Sequence, residues 1–282
     1  MLIAQLSDIH IGFEHGQGAE ELNRQRLRAV VARLREEPNA PDLLVLSGDL
    51  TDHGDAESFA GLREELGDWD VPMLPLVGNH DSRETLLHAF PDCPSEGGFI
   101  HYALEREGLR MLVLDTFEPG RHGGAFCEAR TEWLSGQLAA HSNTPTLIFM
   151  HHPPIVSGID WMDPSPDEAW ITRFSEAISG HRQILAIHCG HLHRTMHTTF
   201  RGVPLGIAPS VAPPVALDLR QISPDVPDGR VLITSEPPGY ALHRWDKTNL
   251  VTHYEFTGDW GGLASYGSVL QGMVRDMMAE RE

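Results

Sequence analysis

Five short polar fragments carry side chains of the kinds that bind metals, and each fragment directly follows a predicted strand. The fragments are Asp8-Ile-His10, Gly48-Asp49, Gly78-Asn79-His80-Asp81, His151-His152 and Gly190-His191-Leu192-His193. Ligands of open α/β sheets bind in the crevice beyond the carboxyl ends of the strands. We therefore expect these five fragments to converge in space, although they are distant in sequence.

The side chains in these fragments offer more ligands than one small divalent ion usually takes from a protein. Two carboxylates, four imidazoles and one amide oxygen come from Asp8, His10, Asp49, Asn79, His151, His191 and His193. A carboxylate such as Asp49 can bridge two ions that lie roughly 3.5 to 4 Å apart, an arrangement that serves in-line displacement at phosphorus. The ligand set therefore predicts two metal ions, whose positive charge attracts a phosphate ester.

Short apolar runs alternate with helical patterns through the first two thirds of the chain. The runs lie at 2–6, 43–47, 71–77, 146–150 and 184–188. Their polar, Gly and Pro boundaries are typical of buried strands. Apolar side chains over 27–34 and 59–66 have the spacing of amphipathic helices, and 131–140 reads as another helix. With two further strands at 98–104 and 109–116, the order predicts an α/β fold or a mixed α+β sandwich.

The pattern changes after residue 202, where prolines separate short apolar stretches. We predict strands at 231–234, 240–245 and 251–256 and a short helix over 263–278. Residues 1–215 are therefore expected to form the core, and residues 216–282 a small β-rich accessory segment.

Composition and charge exclude several classes of protein. The chain has 282 residues, with 21 basic and 40 acidic side chains and a formal net charge of −19. This charge repels nucleic-acid polymers and anionic membranes, so neither is an expected partner. The 3 cysteines form no C-x-x-C pair, which argues against a disulfide framework. Without a basic leader or an apolar run of roughly 20 residues, we expect a soluble cytoplasmic protein.

The ordered motifs D-x-H, G-D, G-N-H-D, a histidine after a strand and G-H-x-H resemble those of the calcineurin-like metallophosphoesterase superfamily. The surrounding sequence is similar to class III cyclic nucleotide phosphodiesterases and bacterial glycerophosphodiesterases. The resemblance implies a four-layer α-β-β-α sandwich in which a metal-bridging hydroxide attacks phosphorus. It also implies a homodimer or larger homo-oligomer that assembles partly through the C-terminal segment. The mixed nitrogen and oxygen donors make Fe, Mn, Zn and Co the candidates for the two metal ions.

The resemblance also implies roles for individual residues. One metal ion is assigned to Asp8, His10, Asp49 and His193, and the other to Asp49, Asn79, His151 and His191. His80 is expected to stand beside the substrate oxygens as an acid or charge stabiliser, with Asp81 orienting it. General acid catalysis of this kind contributes roughly 10²- to 10⁴-fold in rate.

Two departures from related families narrow the expected activity. Protein Ser/Thr phosphatases resemble G-D-x-x-D-R-G, but His53 takes the place of the arginine that grips phosphate. Purple acid phosphatases use a tyrosine ligand where this chain has Asp52. We therefore predict a preference for a monoanionic diester, either a 3',5'-cyclic nucleotide or a glycerophosphodiester. A phosphomonoesterase or nucleotidase and a non-catalytic, metal-stabilised scaffold remain the alternatives.

Loops at the strand ends are expected to recognise the alcohol part of the substrate, because such loops usually set specificity. Phe13 and His15 follow the first strand, and residues 161–163 lie in the long loop after His151. His152 is expected to support a neighbouring metal ligand. An ordinary loop or turn role is the alternative for each of these residues.

Overall fold

The computed structural model describes residues 1–14, 16–36, 38–258 and 261–281. The strands are β1 Leu2–Leu6, β2 Leu43–Ser47, β3 Met73–Leu76, β4 Tyr102–Arg106, β5 Leu109–Leu114, β6 Thr146–Met150, β7 Ile184–Cys189, β8 Met196–Phe200, β9 Val203–Ile207, β10 Gly239–Trp245 and β11 Leu250–Phe256. The helices are α1 Leu22–Arg35, α2 Ala56–Leu66, α3 Arg83–Ala89, α4 Glu128–Ala140, α5 Ala169–Ile178 and α6 Gln271–Ala279. None of these helices is long and apolar enough to cross a membrane.

The strands form two sheets. The first has the order β11-β10-β1-β2-β3, and the second has the order β4-β5-β6-β7-β9-β8. Strands β1, β2 and β3 pair in parallel, as do β5, β6 and β7, so their carboxyl ends lie at one edge of each sheet. This arrangement confirms the predicted mixed α/β fold.

Alternating side chains of β5 show how the layers stack. Met111 and Val113 pack in an apolar cluster with strands of the first sheet and with α1 and α2. Leu112 and Leu114 point the other way and pack with apolar side chains of α4 and α5. Because successive strand residues face opposite sides, the two sheets lie against each other, with helices on both outer faces.

Helix α1 illustrates how the sequence specifies these layers. Leu27, Val30, Val31 and Leu34 are all buried, as their helical spacing predicts. Helix α2 begins at an aspartate cap, where the Asp55 carboxylate accepts a hydrogen bond from the Ser58 amide at 2.8 Å. Both helices connect parallel strands and cover the outer face of the first sheet.

The C-terminal segment contributes two strands to the first sheet. Strand β10 pairs antiparallel with β1, and β11 pairs with β10, so β1 is an interior strand of that sheet. Residues 231–234, predicted as a strand, contribute only an isolated bridge between Val215 and Ile233. The predicted helix over 263–278 is the shorter helix α6. The expected division at residue 215 therefore separates strands that share hydrogen bonds.

Truncation tests this division directly. We expect a chain that ends at residue 215 to lose cooperative thermal unfolding, because β1 would lose its antiparallel partner and the core side chains Tyr240 and Trp245. A chain that ends at residue 258 lacks α6, which buries no side chain, and serves as the control. Its midpoint should stay within about 4 °C of the full chain. Cooperative unfolding of residues 1–215 in calorimetry would contradict this view of the fold.

Candidate metal centre

The five polar fragments meet at the carboxyl ends of the parallel strands. Asp8, Asp49 and Asn79 follow β1, β2 and β3 of the first sheet, whereas His151 and His191 follow β6 and β7 of the second. The two sheets therefore each supply part of one cluster, and the expected convergence is observed.

Five of the expected ligands have a backbone conformation that is rare outside glycine. Their φ angles are positive: Asp8 52°, His10 51°, Asp49 48°, His191 71° and His193 49°. The other described non-glycine residues with positive φ are Glu107, Arg201 and Lys247, each in a tight connection between paired strands. A residue held in this region costs of order 1 to 3 kcal/mol, and such strain concentrates at functional sites. The chain bends sharply at these positions and turns the ligand side chains toward one another.

Two glycines allow this close packing. A Cβ atom at Gly78 would lie 2.2 Å from the amide nitrogen of Asp49 and 2.2 Å from its Oδ1. A Cβ atom at Gly48 would lie 2.5 Å from Nδ1 of His151, and Gly48 also has a φ of +89°. Only glycine lets the loops after β2 and β3 approach this closely.

Hydrogen bonds to backbone carbonyls orient two of the histidine rings. Nδ1 of His151 donates to the carbonyl oxygen of Ser47 at 2.9 Å, and Nδ1 of His193 donates to that of Pro213 at 3.2 Å. A carbonyl can only accept, so Nδ1 carries the proton and Nε2 is the ligand nitrogen. Nδ1 of His10 contacts Oδ1 of Asp52 at 2.9 Å, which orients that ring in the same way.

The Nε2 atoms of these rings converge on the two aspartates. Oδ2 of Asp49 lies 3.1 Å from Nε2 of His151 and 3.6 Å from Nε2 of His10, so Asp49 faces both groups of ligands. Nε2 of His193 lies 3.5 Å from Oδ1 of Asp8 and 3.1 Å from Nε2 of His10. The atoms of Asp8, His10, Asp49 and His193 form one cluster, and those of His151, His152 and His191 form a second.

The cluster fits metal ions. Oδ2 of Asp8 is buried and has no hydrogen-bond partner among the described residues, which is costly unless a cation balances it. The 3.1 Å between Nε2 of His10 and Nε2 of His193 is close to the separation of two nitrogens bound about 2.0 to 2.1 Å from one ion. Asp8, His10, Asp49 and His193 could hold one ion, and Asp49, Asn79, His151 and His191 a second.

Three of the buried side chains have pKa shifts that favour the form that binds metal. Burial opposes ionisation of Asp49, but the positive charges of His151, His10 and His80 hold its pKa well below the usual range. Burial and the charge of His151 lower the pKa of His191 to about 3. Burial also lowers the pKa of His193. Neutral imidazoles and an ionised carboxylate are the forms that metals require.

The pKa of His151 moves in the opposite direction. Burial lowers it, but the negative charges of Asp49 and Asp8 and the hydrogen bond to Asp49 raise it to about 9. This shift favours the protonated form of His151, so a metal ion that bound at Nε2 would displace a proton there.

His152 lies directly behind Asn79. Its Nε2 lies 3.1 Å from the carbonyl oxygen of His122 and 3.1 Å from Oδ1 of Asn79, so the ring donates its proton to both oxygens. Its Nδ1 accepts from the hydroxyl of Thr116 at 2.8 Å. Burial, and after it the electrostatic influence of the neighbouring His191 and His151 rings, hold the pKa of His152 well below its usual range. The ring is a neutral support that fixes the Asn79 amide.

Asp81 contacts the backbone rather than His80. Its carboxylate accepts hydrogen bonds from the amides of Leu50, Thr51 and Gly78 at 3.0 to 3.1 Å. The expected role of Asp81 in orienting His80 is therefore corrected: it ties together the loops after β2 and β3.

Asp52 is the residue that orients His80. Nδ1 of His80 donates to the backbone oxygen of Asp52 at 3.0 Å and lies 3.6 Å from Oδ1 of Asp52. The same Oδ1 contacts Nδ1 of His10, so one side chain links an expected metal ligand to the expected acid. The sequence drew attention to Asp52 because it lies three residues after Asp49. It did not predict the partners of Asp52, since a carboxylate in a loop has many possible partners.

A cavity of about 700 Å³ opens over the cluster. Its lining includes His80 and Asn79 from the polar fragments and the apolar side chains of Phe13, Trp161 and Met162. Phe13 is 66% exposed and Trp161 is 40% exposed, so both rings can meet a ligand. His15, which was also expected at this mouth, lies outside the described residues.

Substitution of Gly78 tests whether the loop packing creates the site. Gly78→Ala should lower metal affinity about 10- to 100-fold, because the added methyl group must displace Asp49. Gly136→Ala in α4 is the control, since nothing lies within 4 Å of its Cβ position. Equilibrium dialysis with Mn²⁺ followed by elemental analysis measures both. Unchanged metal affinity in Gly78→Ala would show that the close approach is not required.

Comparison with known proteins agrees with this geometry. The family model of calcineurin-like phosphoesterases matches residues 1–195. A probable glycerophosphodiester phosphodiesterase of Arcobacter nitrofigilis is 30% identical over 266 residues, covering 93% of this chain and 95% of the relative. A probable cyclic nucleotide phosphodiesterase of Rhodopseudomonas palustris is 33% identical over 237 residues, covering 81% and 82%.

A solved structure shares the architecture. The crystal structure of a dimetal phosphatase from Danio rerio superposes with a TM-score of 0.64 at 15% identity, covering 92% of this chain and 96% of that chain. This similarity supports the fold, and the match of the family model includes all five polar fragments. The chain belongs to the calcineurin-like phosphoesterase family.

Proposed function

We propose that this protein is a binuclear metal-dependent phosphodiesterase that hydrolyses small phosphodiesters. The observation that carries the proposal is the placement of Asp49 between two groups of metal-binding side chains. Relatives named as glycerophosphodiester and cyclic nucleotide phosphodiesterases support the reaction class.

Two bound metal ions would supply charge stabilisation at the phosphate oxygens and activation of water. The chain's own residues then position and protonate the substrate. Nδ1 of His80 is engaged by the backbone oxygen of Asp52, so Nε2 is the ring atom left to donate a proton to the leaving alcohol. The carboxylate of Asp52 lies 3.6 Å from the same Nδ1.

The charges in the cavity favour a diester over a monoester. A dianionic monoester is best held by a bidentate arginine. Arg121 lines the cavity, but its guanidinium pairs with Glu168 at 2.9 Å. His53, at the position of the phosphatase arginine, lies 3.3 Å from the carboxylate of Asp52. A monoanionic diester carries one negative charge less than a dianionic monoester and therefore needs less stabilisation from such cations.

We expect metal-stripped protein reloaded with Mn²⁺ to hydrolyse bis(p-nitrophenyl) phosphate faster than p-nitrophenyl phosphate. Activity should disappear when the metal is chelated, because the donors alone do not activate water. Release of p-nitrophenolate measures both rates. Faster monoester turnover would favour the phosphomonoesterase or nucleotidase alternative, and two bound metals without turnover of either ester would favour the scaffold.

The apolar part of the cavity lining supports a substrate with a flat ring. Phe13, Trp161 and Met162 are apolar, and the nearby carboxylates are already engaged. Asp163 accepts hydrogen bonds from the Ser157 and Gly158 amides, and Glu168 pairs with Arg121. Such a wall suits stacking on a nucleobase better than hydrogen bonding to glycerol hydroxyls. Among the two candidate substrates, cyclic nucleotides are therefore favoured.

Replacement of Trp161 separates the two candidates. Trp161→Ala should lower kcat/KM for a 3',5'-cyclic nucleotide about 10-fold, the loss of one stacking contact, and should change turnover of glycerophosphocholine little. Tyr266→Ala, on an exposed part of the C-terminal segment, is the control. Equal losses for both substrates would show that Trp161 does not read a base.

Metal identity, assembly and location extend the proposal. The mixed nitrogen and oxygen donors suit Fe, Mn, Zn or Co. Exposed methionines of α6 (Met273, Met277 and Met278) support a homodimer or larger homo-oligomer through the C-terminal segment. A cytoplasmic location stays a prediction from the sequence.

A further inference from the structure

Gln5 is a polar side chain buried in the apolar interface between the two sheets. It lies on β1, an interior strand of the first sheet, and is only 1% exposed. An amide in such a place is costly unless its donors and acceptor find partners. The side chain therefore needs specific contacts, and the structure provides them on both sheets.

The amide nitrogen of Gln5 joins the two sheets. Nε2 donates to Oγ of Ser47 at 2.9 Å and to the backbone oxygen of Cys189 at 3.2 Å. Ser47 ends β2 in the first sheet, and Cys189 ends β7 in the second. One side chain thus fixes the separation of two strand ends that belong to different sheets.

Both strand ends lie two residues before expected metal ligands. Ser47 precedes Asp49, and Cys189 precedes His191. The backbone oxygen of Ser47 also accepts from Nδ1 of His151 at 2.9 Å. Because the ligands come from both sheets, a change in the spacing of these strand ends changes the spacing of the ligands.

The orientation of the Gln5 amide is fixed by the C-terminal hairpin. Oε1 accepts from Nε2 of His243 on β10 at 3.1 Å, and Nδ1 of His243 accepts from the hydroxyl of Thr252 on β11 at 2.9 Å. The hydroxyl of Ser47 in turn donates a hydrogen bond to the carbonyl oxygen of Leu6 at 3.2 Å. These hydrogen bonds all run from Thr252 toward Leu6, because each group donates to the next one in the series. The amide of Gln5 therefore has a single favourable orientation.

We propose that Gln5 is a positioning residue that holds the metal ligands of the two sheets at their binding separation, with its amide oriented by His243 of the C-terminal hairpin. This inference rests on the proposed metal centre. It gives strands β10 and β11 a direct part in building the site, although none of the expected ligands comes from them.

The fold offers a matched control. The hydroxyl of Tyr102 on β4 also crosses between the sheets and donates to the backbone oxygen of Pro75 on β3 at 2.9 Å. Tyr102 is buried like Gln5, but it lies outside the metal cluster and its cavity. Tyr102→Phe removes one hydrogen bond between the sheets without touching the strand ends that Gln5 joins.

The experiment compares Gln5→Met with Tyr102→Phe. Mn²⁺ dissociation constants come from titration calorimetry on metal-stripped protein, and the stability of the metal-free forms comes from thermal unfolding. Gln5→Met keeps the length of the side chain without its hydrogen bonds. We expect both variants to lose stability, but only Gln5→Met to lose metal affinity, by about 10- to 100-fold, as for other residues that orient ligands.

Two results would overturn the inference. Metal affinity within twofold of the parent in a folded Gln5→Met protein would leave Gln5 a role in stability alone. Equal loss of affinity in Tyr102→Phe would show that any weakening of the interface has this effect. If Gln5→Met does not fold, Ser47→Ala, which removes one acceptor of the amide, is expected to give an intermediate loss and is judged by the same limits. A parent protein that binds no metal would instead refute the proposed function.

Discussion

The rest of the structure depends on keeping the carboxylate of Asp49 charged although it is almost completely buried. Asp49 is 2% exposed, and a buried carboxylate without partners is very costly. The protein balances it with the His80 amide, which donates to Oδ1 at 2.8 Å, and with Nε2 of His151 and His10. The same nitrogens are suited to bind metal. The balance that makes burial of this charge tolerable therefore also creates the candidate site.

That balance requires unusual backbone at the strand ends. Asp8, Asp49 and His191 each lie two residues after the end of a strand, and their positive φ angles turn the chain back there. The interior of two packed sheets holds the strand ends rigidly enough to maintain this strain. Gln5 adds a polar contact across the interface at the strand ends that precede the ligands, so the separation of the sheets and the geometry of the ligands are linked.

The sequence predicted the fold class and the convergence of the ligands because both depend on local signals. Buried parallel strands are recognisable as apolar runs, and polar residues after them must gather at one sheet edge. The pairing of β10 with β1 was missed, since strand order depends on contacts between residues far apart in sequence. The partners of Asp81 and Asp52 were also beyond prediction, because the direction of a loop carboxylate depends on tertiary packing. Strands β8 and β9 were also missed. In β8 the cause is a weak local signal, because its polar and apolar residues alternate only weakly.

A crystal structure of the protein soaked with Mn²⁺ tests the central claim most directly. Anomalous scattering locates the ions independently of any assumption about the ligands. We expect two peaks roughly 3.5 to 4 Å apart, one on each side of the Asp49 carboxylate. A single peak, or two peaks that do not share Asp49, would contradict the binuclear centre.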